Sequence, residues 1–338
     1  MFSPRLPLRR VRVGLLGIAV LLLAALPAAA ALRAADDAIS LVPPDAASVA
    51  VVRFNELRSS PLASRLFTDV DHMSGNGEAA RFMDEANLKP REDVDTVVIV
   101  GLSPAAGGTD APVLALFEGR FDPQRLAAAA TTRGASKIAG ASGDYYLLPR
   151  NEGRHSSAAA VAFASPRLMI AGGPSAVEQA LAARASGGTA FASGAGLGGQ
   201  LSRIDRTSSV WALVDVTRYP SVKRGMNRSV QGGSEAAGAL IGAMKSVTLF
   251  SFQATVHTDE LTLAASGVSP DADTRQLLED SLKGVVAMWR LAVQEKQPEL
   301  VSALRRFRIE SSGDAVTVTG TLPGAVLRSL AEKRTAMR

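Results

Sequence analysis

The sequence predicts an α+β fold, a mainly antiparallel sheet with helices on one face, standing behind an export leader. Three observations predict it. Short β-branched runs come in pairs joined by polar turns, as hairpins do. Proline-opened helical stretches interrupt those pairs, which favours an antiparallel sheet over parallel βαβ units. The same series of strands and helices then occurs twice along the 338 residues, at an offset of about 150.

The amino terminus reads as a leader. Arg5, Arg9, Arg10 and Arg12 form a positive region, and an uncharged run over 13–32 follows. Small residues at Ala28, Ala29, Ala30 and Ala31 fit signal-peptidase cleavage after Ala30 or Ala31. The alternative is an uncleaved anchor, because an apolar run of about 20 residues spans a bilayer as a helix. Both readings place the chain beyond residue 35 outside the cytoplasm, periplasmic or secreted in one case and tethered to the inner membrane in the other. The leader also explains the charge. The chain carries 37 Lys+Arg and 32 Asp+Glu; without those four arginines, 33 face 32. The folded part is therefore near neutral, which argues against a nucleic-acid partner. The chain has no cysteine, so disulfides, thiol nucleophiles and thiolate metal sites are excluded.

The first strand is expected over 48–54, followed by a helix opened by Pro61. Residues 95–101 and 113–119 read as paired strands, and Asp122-Pro123 starts a helix over 124–132. A carboxylate cap with proline at the first helical position satisfies the helix end at no cost. Strands over 159–163 and 168–172 and a helix over 174–185 complete the half. The second half repeats this order: strands at 209–214, 246–255 and 260–267, a helix after Ser269-Pro270, strands at 307–310 and 315–320, and a helix over 323–333. The predicted organisation is a leader or anchor over 1–35, a first α+β repeat over 36–188, a Gly/Ser-rich flexible linker over 189–204, and a second repeat over 205–338. The longest helix, over 273–295, carries one apolar stripe of Leu278, Leu282, Val285, Val286, Trp289 and Val293, expected to pack on the sheet. The alternative for that helix is a groove or membrane-facing role.

Candidate chemistry is sparse. Gly194–Gly199 matches G-x-G-x-x-G, but it follows a helix inside the glycine-serine stretch, so a linker outweighs a dinucleotide loop. Asp69, Asp71 and His72 are the densest metal-like cluster; His155 and His257 sit in polar turns. Gly233-Ser234-Glu235 lacks the second glycine of a nucleophile elbow. Glu92/Asp93/Asp95, Asp84/Glu85 and Glu279/Asp280 are carboxylate pairs that serve acid–base chemistry only if buried and close. Two basic groups remain, Arg218/Lys223/Arg224/Arg228 and Arg305/Arg306/Arg308, and either suits an anionic lipid or polymer. No catalytic, cofactor or metal residue is assigned.

The stretch Leu41-Val42-Pro43-Pro44-Asp45-Ala46-Ala47-Ser48-Val49-Ala50, with Gly119–Pro123 and Ala171-Gly172-Gly173-Pro174 later, resembles a group of uncharacterised exported bacterial proteins. Those proteins begin with a VP-x-DA-x-x-VA strand just after the leader. The resemblance implies export and carries no activity or site residue. The expected function is an exported, non-catalytic binding or structural protein of the cell envelope, with an unidentified protein or envelope ligand as partner. A cell-envelope hydrolase with a non-standard site and a membrane-associated assembly factor held by residues 13–32 are the competing classes.

Overall fold

A computed structural model of the chain describes residues 38–63, 77–103, 112–149, 158–188, 191–219, 244–294 and 298–329. The leader lies outside the described residues. In the first half the strands are β1 (Ala46–Arg53), β2 (Val94–Leu102), β3 (Val113–Gly119), β4 (Ser136–Gly140), β5 (Gly143–Leu147), β6 (Ala160–Ser165) and β7 (Leu168–Gly172). In the second they are β8 (Val210–Asp215), β9 (Leu249–Val256), β10 (Glu260–Val268), β11 (Arg308–Ser312) and β12 (Ala315–Pro323). All twelve join one sheet in the order β11-β12-β10-β9-β8-β1-β2-β3-β7-β6-β5-β4. Every pairing is antiparallel.

The two halves meet at a single seam. There β1 pairs with β8, Ser48 opposite Val214 through Val52 opposite Val210. Outward from the seam the order is β1-β2-β3-β7-β6 on one side and β8-β9-β10-β12-β11 on the other. The first half alone adds the β4–β5 hairpin at its edge. Sequence reading misses that hairpin because β4, Ser-Lys-Ile-Ala-Gly, is an exposed edge strand without a β-branched run.

The α+β class and the antiparallel sheet match expectation, but the helices lie on both faces. Alternate residues of one strand enter different cores, as period two requires. Leu114 and Leu116 of β3 lie with Ile170, Val49, Val51 and Trp211 in one cluster; Phe117 lies with Val52, Val97 and Met169 in the other. The helix over Pro174–Ala185 buries Ala176, Val177, Ala180 and Leu181 in the first cluster. The helix over Pro123–Thr132 buries Leu126 and Ala129 in the second. A sheet apolar on both faces needs cover on both, and the continuous apolar run of β2 (VDTVVIVGL) already carries that requirement.

The helices are α1 (Phe54–Leu57), α2 (Gly77–Ala86), α3 (Pro90–Asp93), α4 (Pro123–Thr132), α5 (Pro174–Ala185), α6 (Ala272–Val293) and α7 (Pro298–Leu304). Caps fall where the chemistry asks. Asp122 accepts from the backbone N–H of Gln124 and of Arg125, at 3.1 Å each. Asp271, rather than Ser269, caps α6 through the backbone N–H of Thr274 at 2.7 Å. Pro298 opens α7, so the proline beyond α6 starts a helix as well as following one.

The glycine-serine stretch is not a flexible connection. Residues Phe191–Ser193 and Gly198–Arg203 are short 3-10 turns. Phe191, Leu197 and Leu201 are buried in the same core as Trp211. A Cβ on Gly198 would stand 1.6 Å from the carbonyl oxygen of Phe191. The glycine is there because two backbone segments touch. Arg203 then grips Asp314, in the β11–β12 turn, through two bonds of 2.9 and 2.8 Å.

Trp211 is fully buried beside the seam. Trp211→Ala is expected to destabilise the chain by about 3–5 kcal/mol, the usual range for emptying a large buried aromatic site. Urea unfolding of the variant against the unaltered chain measures this.

Candidate functional site

Several sequence candidates fall outside the described residues: Asp69, Asp71, His72, His155, Lys223, Arg224, Arg228 and Gly233-Ser234-Glu235. The others are placed, and most serve the fold. Asp95 takes an ion pair from Arg58 at 2.7 Å and one from Arg120 at 3.2 Å. Asp93 accepts the backbone N–H of Lys89 at 2.7 Å, and Glu92 pairs with the Lys89 ammonium at 3.2 Å. Glu85 holds Arg133 with both oxygens, at 2.7 and 3.0 Å. Glu279 pairs with Lys283 one turn on, at 2.5 Å, and Asp280 accepts from Gln276 at 3.0 Å. Arg218 donates to the Asp45 carbonyl at 2.7 Å and to Ser103 Oγ at 3.1 Å, bridging the seam. His257 is exposed in the β9–β10 turn. Gly194–Gly199 contributes to the packed crossing described above, and a shallow cavity of about 460 Å³ lies along it, lined by Gly198, Gly199, Leu201, Asp205 and Arg206. Among the described residues, no three His, Asp or Glu side chains gather as a metal would need.

A row of buried polar side chains escapes sequence reading. Arg53 lies opposite Thr96, and Thr96 lies opposite Glu118, so the three stand side by side across β1, β2 and β3. All three are buried, as is Glu56. In sequence each charge only closes an apolar run, VAVVR or LALFE, and so reads as a strand end. Glu118 Oε1 accepts the backbone N–H of Ala38 at 2.8 Å, holding the segment that begins there. Arg53 donates through Nε to the Ser208 carbonyl at 3.2 Å and through Nη2 to the Arg206 carbonyl. Its Nε also lies 3.7 Å from Glu56 Oε1. These charges pin two chain crossings against the sheet, and they are shut away from any substrate.

Where the surroundings shift a titratable group, the shift runs away from neutrality. Burial and the Glu178 partner raise Tyr145 and burial raises Tyr219, the hydrogen bond to Glu178 dominating in the first. Hydrogen bonds donated to Asp144, Glu279 and Asp314 raise Lys137, Lys283 and Arg203. Hydrogen bonds from Thr274 and Arg203 lower Asp271 and Asp314. A general acid or base needs the opposite, a pKa drawn toward the working pH.

Among the described residues, the most exposed large apolar side chains gather at the far end of α6. Leu278, Leu282 and Val286 pack on Ile309, Val316 and Val318 as the stripe predicts, but Trp289, in the same stripe, is 62% exposed. The spacing marks the apolar side of the helix but not which of its turns find a partner. Met288 and Leu291 beside Trp289 are 55% and 71% exposed. Arg290 turns inward and donates to the Leu304 carbonyl at 2.6 Å, which ties this end of α6 to the end of α7. Arg305 and Arg306 follow immediately, and Arg308 opens β11; all three are exposed. Two features that the sequence offers separately, the apolar helix and the arginine group, thus share one corner.

No protein-family model matches the chain, and no curated protein matches it. Solved structures do match. Crystal form III of TP0453 is similar at a TM-score of 0.51 and 11% identity, covering 87% of this chain and 97% of that one. Crystal form I of TP0453 gives 0.45 at 12% identity over 87% and 96%. At such identity the first likeness is one of fold alone.

Arg53→Met is expected to lower stability in urea unfolding by about 1–3 kcal/mol, because it removes the donor that the Ser208 and Arg206 carbonyls accept from. Asp314 supplies a pH test. Its folded pKa lies below the ordinary 3.8 because Arg203 bonds the carboxylate. Its stabilisation is therefore present above about pH 4 and lost as pH falls through the folded value. Asp314→Asn should lower stability at neutral pH, and the gap to the unaltered chain should close on acidification toward about pH 3.

Proposed function

We propose that the chain is an exported, non-catalytic binding protein of the cell envelope, and that the α6–α7 corner is its binding surface. The observation that carries the non-catalytic reading is the use of its charges. Carboxylates flagged by sequence are paired at the surface, buried charges hold the backbone, and the perturbed groups titrate farther from neutrality rather than nearer. Binding is supported by the apolar side chains left uncovered at the end of α6, because exposed apolar surface beside polar residues marks contact sites. Among the described residues no helix is long and apolar enough to cross a membrane. Attachment by a span would therefore rest on the 13–32 segment. We also read the chain as an internal duplication, supported by the matching strand succession on either side of the seam.

Export is tested on the native protein. Cell fractionation should find it in the envelope or outside the cell. Mass spectrometry of its amino terminus should read Ala31 or Leu32 if the leader is shed, and the original start if it is kept as an anchor. Recovery in the cytoplasmic fraction with an intact leader would refute the reading.

A further inference from the structure

The geometry points to an anionic lipid surface as the partner of the α6–α7 corner; this deepens the binding reading above and rests on it. Trp289, Met288 and Leu291 lie in the last turns of α6 with most of their surface in solvent. Tryptophan is suited to a membrane interface because its ring is apolar and its N–H seeks a polar partner. Arg305, Arg306 and Arg308 stand next to this apolar tip, joined to it by the bond from Arg290 to the Leu304 carbonyl. None of the three makes an ion pair among the described residues. In the stretch 288–310 the carboxylates are Glu295, Glu299 and Glu310, against Arg290, Lys296, Arg305, Arg306 and Arg308.

Exposed apolar side chains at the end of one helix and exposed arginines just past the neighbouring Leu304 supply both elements that peripheral lipid binding requires: acyl contact and attraction to anionic headgroups. The same charge argues against a second copy of this chain as occupant. Two such corners facing each other would bring eight arginines together, counting Arg290, and like charges across an interface oppose docking. An apolar-only partner would leave the arginines without a role.

The chain carries its own probe. It has two tryptophans; Trp211 is fully buried and Trp289 is 62% exposed. Fluorescence changes on adding vesicles therefore report Trp289. The full chain is mixed with vesicles of phosphatidylcholine alone or with phosphatidylglycerol added, in each case with brominated acyl chains as quencher. A blue shift and quenching are expected with the anionic vesicles and not the neutral ones, and added salt should weaken both. Replacing Arg305, Arg306 and Arg308 by Gln should weaken partitioning roughly 100-fold, at about fivefold for each arginine near the surface. Trp289→Ala, followed by co-sedimentation, should also lose binding. These side chains are exposed, so thermal unfolding of the variants should match the unaltered chain, and a variant that unfolds is replaced by the single Arg306→Gln.

Four results would overturn the proposal. They are no quenching, equal quenching by neutral vesicles, insensitivity to the arginine substitutions, and a blue shift that grows with protein concentration without lipid, which would mark self-association. Sedimentation with vesicles while Trp289 stays unquenched also counts against it, since that pattern belongs to the leader. Failure of the export reading would appear in fractionation and at the amino terminus and would leave the vesicle result standing.

Discussion

The antiparallel pairing of β1 with β8 is the contact on which the rest of the molecule depends. Five residue pairs there turn two half-sheets into one. Side chains close the seam at both ends. At one end Ser48 and Tyr219 share a hydrogen bond of 2.8 Å between their hydroxyls, and Arg218 crosses to Asp45 and Ser103. At the other, Arg53 reaches the carbonyls of Arg206 and Ser208, and its own N–H donates to the Ser209 carbonyl at 2.9 Å. The Tyr219 phenol is buried where it makes this bond, and burial raises its pKa. The row Arg53–Thr96–Glu118 begins at the same seam. The segment beginning at Ala38 and the crossing between halves are therefore held by polar groups that start from one pair of strands.

The electrostatics divide the molecule into two regimes. Over both halves, the seam and the first turns of α6, charge is consumed locally, and the shifted groups move away from neutrality. At the α6–α7 corner, cations are left without partners beside exposed apolar side chains. A surface ion pair contributes little to stability, so the paired sites cost the fold little to keep. The exposed side chains of that corner add little to the core, although Ala303 and Leu304 beside them are buried.

Much of this was legible in sequence, and the failures share a cause. Strands β3 and β7 and helix α5 fall on their expected bounds, because short apolar strand runs and a proline-opened, alanine-rich stretch are local signals. Other features depend on partners distant in sequence. Period three-and-four spacing identifies which side of α6 is apolar, but not which of its turns find a partner, so Trp289 was placed with the packed stripe. Glycine and serine over 186–200 suggest flexibility until the neighbour of Gly198 is known to be the Phe191 carbonyl. Arg53 and Glu118 look like strand-end charges, and only the register puts them in a buried row. Apolar residues on successive positions of β2 did signal a two-faced sheet, yet the hairpin pattern outweighed it and one face was assigned.

The seam also has a history in time. Residue Ala50 must wait for Ala212, about 160 positions later, before its second neighbour exists. A chain delivered amino terminus first can assemble β1, β2 and β3 early, because those pairings are comparatively close in sequence. During that interval the outer side of β1 presents an unpaired row of amide and carbonyl groups on an apolar strand without proline. That is the most adhesive edge the half-built molecule offers, and it lies at the centre of the finished one. Every copy thus passes through a stage in which the strand destined for the middle is open to strangers, and the speed with which residues 210–215 arrive sets how long that exposure lasts.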